Sequence, residues 1–94
     1  MSVTFEWDED KANQNLRKHN VSFAEAITVF MDPFSITISD PDHSMDEERF
    51  IDIGTSVKGR ILVVAYTERG ANIRLISSRK ATPAEREKYE ERYF

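Results

Sequence analysis

At Asp32-Pro33 the hydrophobic period of this chain switches from that of a helix to that of a strand, and no other feature limits the fold as much. Upstream, Phe23, Ala26, Ile27 and Phe30 stand at i, i+3, i+4 and i+7, one apolar stripe along a helix. Downstream, Phe34, Ile36 and Ile38 alternate with Ser35, Thr37 and Ser39, which describes a half-buried strand. Proline at the junction stops the helix, because the residue before it is pushed out of the helical region. A helical segment followed by a strand-rich segment predicts the α+β class, with helices covering one face of a sheet.

Local signals set the remaining boundaries. Phe5-Glu6-Trp7 is a short extended lead-in, and Asp8 caps a first helix running to about His19, where Asn20 suits a left-handed stop. Ser22 and Glu25 have the spacing of a capping box for the second helix. After the strand from Phe34 to Ser39 comes an acidic loop, Asp40 to Glu48, and then a strand from Arg49 to Ser56. Val57-Lys58-Gly59 turns the chain into Arg60–Thr67, the most apolar strand and therefore a central one. A turn from Glu68 to Ala71 leads to Asn72–Arg79, and Thr82, Pro83 and Glu85 open a last helix that reaches about Tyr93. The reading is two N-terminal helices, a four-stranded, mainly antiparallel sheet and a C-terminal helix. Ninety-four residues suit one domain, residues 1–94.

Composition removes several classes of function. Hydrophobic residues at 39% and charged residues at 32% are globular proportions, not those of a disordered chain. The absence of cysteine removes disulfides, thiolate metal sites and thiol nucleophiles, and fits a cytoplasmic setting. No leader-like N-terminus or membrane-length apolar run is present, so no membrane partner is expected. A net charge of −4 argues against a general nucleic-acid coat, but the charge is unevenly spread. Residues 1–57 carry four basic and twelve acidic side chains, a balance of −8; residues 58–94 carry nine basic and five acidic, a balance of +4. The basic block can bind anions or be a solvated sheet face.

Few residues offer chemistry. Lys18 and His19 end the first helix, where they either serve as phosphate anchor and acid/base or simply complement the helix dipole. Arg49, Arg60, Arg74 and Arg79 lie on adjacent strands and suit bidentate contact with phosphate. Simple alternation puts Arg74 and Arg79 on opposite faces unless a bulge re-aims one. Glu68 is a general base or an ion-pair partner of Arg69 or Arg74. The loop from Asp40 to Glu48 lacks the glycine and spacing of a calcium loop, so no metal site or cofactor is expected.

In order along the chain, Phe5-Glu6-Trp7-Asp8, Lys11, Asn15, Leu16, Lys18 to Phe23, Glu25-Ala26, Val29-Phe30 and Asp32-Pro33 resemble the N-terminal half of BrnT-family toxins. Glu47 to Phe50, Ile53-Gly54, Gly59-Arg60, Ile76 to Arg79, and Glu85-Arg86 within Ala81 to Tyr89 continue the resemblance over nearly the whole chain. Asn20 replaces the family's usual glycine and Ser78 its commoner alanine. The resemblance implies a RelE-like fold and a type II toxin that inhibits growth by cleaving RNA. Its partner would be a BrnA-like ribbon-helix-helix antitoxin, with operator DNA bound only through that antitoxin.

Metal-independent RNA cleavage needs a base for the 2′-hydroxyl, an acid for the 5′-oxygen and cations for the phosphorane. On this reading His19, with Glu68, does the acid/base work, and Lys18, Arg49 and Arg79 hold the phosphate. Arg60, Arg74 and Lys80 steer the RNA. Two other classes compete: a non-catalytic protein-binding module, and a subunit of a DNA-binding repressor complex. The second is weaker, because no helix is strongly basic and the second is too acidic and apolar for a major groove.

Overall fold

The computed structural model describes residues 3–40 and 47–91. Asp8 caps the first helix as its side chain predicts, accepting from the amides of Asp10 and Lys11 at 2.8 and 3.2 Å. After strand β1 (Thr4–Glu6), helix α1 spans Glu9–His19 and stops at Asn20, whose φ of 57° is left-handed. Helix α2 covers only Phe23–Ala26 and tightens into a 3₁₀ helix over Ile27–Met31. The expected single helix is broken because Ile27, Thr28 and Val29 are consecutive β-branched residues. In addition, the Thr28 hydroxyl donates to the Glu25 carbonyl at 2.6 Å, competing with the helical ladder. Ser22 caps α2, but the Glu25 carboxylate does not complete the expected box; it turns to Arg60.

Strands β2 (Ile36–Ser39), β3 (Arg49–Thr55), β4 (Ile61–Arg69) and β5 (Asn72–Lys80) precede helix α3 (Pro83–Glu90). The predicted C-terminal continuation to Tyr93, and the acidic loop across residues 41–46, fall outside the described residues. β2 starts two residues later than Phe34, because Asp32 accepts the Phe34 amide at 2.9 Å and holds Pro33-Phe34 in a turn. The sheet has five strands in the order β1-β5-β4-β3-β2, not four, and is mixed, since β1 runs parallel to β5. Three residues are too few for a period to be read; β1 is fixed instead by packing, with Phe5 opposite Ile73 and its ring 5.1 Å from Phe30.

The helices do not all lie on one face. Val21, Phe23, Ala26 and Val29 pack on Leu62, Val64 and Leu75, while Tyr89 of α3 joins Ile53 and Val63 on the opposite face. β4 carries an unbroken apolar run from Ile61 to Ala65, so both its faces need cover. Gly54 permits the 3₁₀ helix to approach β3, since a Cβ there would meet Val29 Cγ1 at 2.9 Å.

Candidate functional site

Pairing across the sheet sets the site. Arg49 lies opposite Thr67, Thr67 opposite Arg74, and Arg74 opposite Glu6, so these side chains form one row on the face that α3 covers at its other end. Arg79 lies opposite Val63, four residues along β4 and therefore on the same face, about 13 Å from the row at the usual strand rise. Alternation alone sends Arg74 and Arg79 to opposite faces. A register shift at Ala65/Tyr66 leaves Ile76 without an opposite number and reverses the phase, bringing both arginines together with Ser77.

Each arginine in this set meets a carboxylate. Arg49 Nε stands 3.8 Å from Asp40, and Arg74 Nη1 stands 3.6 Å from Glu6. Arg79 donates both Nη atoms to Glu85, at 2.7 and 2.9 Å. Glu85 also accepts the Thr82 amide at 2.8 Å, completing the predicted capping box. Chiefly through Arg79, its carboxyl is held down at about 2, and the Arg79 guanidinium is correspondingly pushed up.

The other predicted residues stand elsewhere. Glu68 is exposed and lies opposite Ile73, so it points to the face that α2 covers, away from the arginine row; Arg69 instead pairs with Glu47 at 2.9 Å. Lys18 and His19 end α1, which runs along the outer edge of β5. There Asn15 binds both backbone groups of Ser78, at 2.8 and 3.0 Å. Lys18 and His19 thus stand at the sheet's edge, not on the arginine face. The carbonyl of the next residue, Asn20, accepts from Arg60 at 3.0 Å, which places them at the end of the sheet that carries Arg79 and Lys80. Arg60 itself is committed to Glu25, whose carboxyl it pulls below its usual range despite burial.

Two acids with structural weight carry no strong local motif. Glu25 is buried, ties Arg60 to Ser56 and was legible only as a cap. Asp52 is buried between β2 and β4, where desolvation raises its carboxyl against hydrogen bonds from Thr37 and from Tyr66, the latter at 2.9 Å. The signal for Asp52 was a lone acid between Ile51 and Ile53. Among the described residues no group of three or more His, Asp or Glu is placed to hold a metal ion.

Comparison with known proteins gives the arrangement its class. The crystal structure of the Brucella abortus ribonuclease toxin BrnT superposes with a TM-score of 0.66 at 26% identity, covering 86% of this chain and 99% of that one. No curated protein sequence matches the chain. The family model for the ribonuclease toxin BrnT of type II toxin–antitoxin systems matches residues 7–85. This chain belongs to the BrnT family of ribonuclease toxins.

Proposed function

We propose that this chain is a single-domain, RelE-like endoribonuclease toxin that works in the cytoplasm without a metal ion. A BrnA-like ribbon-helix-helix antitoxin holds it in check and carries the complex to operator DNA. The observation that supports this reading best is the reversal of strand phase at Ile76, which puts Arg49, Arg74 and Arg79 on one face. Arg49 and Arg74, flanking Thr67, would straddle the strand, while Arg79 would meet charge developing on the phosphorane. The 2′-oxygen attacks phosphorus and loses its proton to a base; the 5′-oxygen leaves and takes a proton from an acid, giving a 2′,3′-cyclic phosphate and a free 5′-hydroxyl. His19, at the edge beside the Arg79 end, is better placed for proton transfer than Glu68, which points to the other face. Lys18 would anchor the phosphate beside it, with Lys80 and Arg60 steering the strand.

Purified protein incubated with RNA in excess chelator tests this directly. Cleavage should persist, and His19→Ala should lower it about 100-fold or more, the usual scale for losing a general acid or base. Arg79→Ala should also impair it. Full activity of both variants, with folding intact, would remove these residues from the mechanism. That all three face arginines meet carboxylates favours one second reading, a non-catalytic module whose basic face docks an acidic partner. Induced expression of the chain alone separates the two: growth arrest with falling RNA integrity supports the nuclease, and unimpaired growth supports the module.

A further inference from the structure

A groove of about 340 Å³ opens where the turn before β4, the end of β5 and the start of α3 converge. Its charged lining is Arg60, Lys80 and Arg86, over a floor that includes Ile61 and Ala81. Three cations are brought together from three separate elements, and their counter-charges are already spent or distant. Glu25 holds Arg60 through Nε and Nη2, and the Asn20 carbonyl takes a further bond from Nη2. That leaves Arg60 Nη1 with no acceptor among the described residues. Glu25 is in turn fixed by Ser56 Oγ at 2.7 Å, and its side chain is only 2% exposed. A buried acid thus clamps a surface guanidinium rigidly, with one nitrogen left over. Lys80 makes no ion pair among the described residues, and Arg86 approaches Glu90 only to 3.8 Å.

From this convergence we infer that the groove binds a phosphodiester of the RNA strand, one outside the position that is cut. Resting on the ribonuclease reading, the inference assigns Arg86 to substrate contact and gives Lys80 and Arg60 a common ligand. Lys80 points to the face opposite Arg79, but Ile61 and Ala81 of the groove pack on the Tyr89 face that carries Arg79, so a strand passing over Arg79 reaches the groove round the end of the sheet. The lining holds no aromatic side chain on which a base could stack, so the guanidinium and ammonium donors predict contact with the backbone and little sequence preference. Arg60 is excluded as a test position, because removing it strands the buried Glu25.

The test is the full chain carrying Lys80→Ala and Arg86→Ala, both at exposed positions. A fluorescent, 2′-O-methylated RNA oligonucleotide, which lacks the attacking hydroxyl, is titrated by anisotropy at several salt concentrations. The double variant should bind more weakly on every sequence, with a salt dependence shallower by about 0.7 for each phosphate that is no longer neutralised. Lys80→Arg with Arg86→Lys, which keeps both charges, should restore the wild-type slope. Equal slope and affinity in wild type and a folded double variant would overturn the groove while leaving the ribonuclease reading standing. Failure of the wild type itself to bind or cut RNA would overturn both. Inorganic phosphate is the second arm: if it saturates shifts of the Lys80 and Arg86 amides while RNA affinity ignores the variants, the groove takes free anions and the inference fails.

Discussion

Asn15 shows how much one side chain carries in this molecule. Its amide donates to the carbonyls of Val21 and Ser78, at 2.9 and 2.8 Å, and accepts the Ser78 amide at 3.0 Å. It does for the edge of β5 what β1 does farther along, replacing a strand with one residue of a helix. Replacing Asn15 by alanine leaves buried backbone groups without partners, each worth roughly 1–3 kcal/mol. Urea denaturation should therefore show a loss of about 2–4 kcal/mol; a loss within error of zero would mean that water replaces the amide freely. Nothing local advertised this role, because Asn15 and Ser78 are 63 residues apart. Caps were legible for the opposite reason. Asp8, Asn20 and Thr82 act on their own neighbours, and the sequence reading of each survives in the structure. The arginines fall between these cases: their residue type was readable, but their face depends on one unpaired residue, Ile76, which periodicity does not reveal.

Among the elements, α3 shows how charge and packing share a task. Its start is fixed by the Thr82–Glu85 capping box and by Arg79, and its far turn by Tyr89, whose hydroxyl meets Thr55 at 2.9 Å and also reaches Asp32. Because the Glu85 carboxyl sits near 2, below its ordinary 4.5, its contribution is present above pH 4.5 and lost as pH falls towards 2. Asp52 works in the other direction. Its carboxyl is raised above the ordinary 3.8, so it favours the fold at low pH and loses that contribution as pH rises through the folded value. Thermal melts of Glu85→Gln from pH 6 to 2 should fall less steeply than wild type between about 4.5 and 2. Glu25 and Asp32, also held low, retain the rest of the acid sensitivity. An acid limb of unchanged steepness would show that Glu85 contributes nothing to α3 docking. The placement of α3 overturned the expectation of helices on one face only; the overlooked signal was the continuous apolar run in β4, which implies cover on both faces. The break in the second helix was also missed, because the i, i+3, i+4, i+7 spacing indicates a continuous α-helix and masks the β-branched run from Ile27 to Val29.

At the scale of the whole molecule, the sheet order makes β4 the central strand and β2 an edge. Hydrogen exchange followed by NMR should find the amides of Val63, Val64 and Ala65 among the slowest, released only by global unfolding. Amides of β2 such as that of Thr37, exposed at the sheet margin, should exchange earlier. Uniform rates from β2 to β4 would contradict a graded sheet. The class and most of the meander were readable because they rest on contiguous periodicity, whereas the mixed character of the sheet rests on a three-residue strand paired far along the chain. That pairing has a consequence for biosynthesis. Thr4–Glu6 are translated well before their partners Asn72–Arg74, and the bonds from Asn15 wait for Ser78. The helices therefore have no completed sheet to settle on until β5 has been translated, so the arginine face is assembled only after that strand is made. A nascent copy interrupted before β5 would lack Arg74 and Arg79 and the edge that anchors α1.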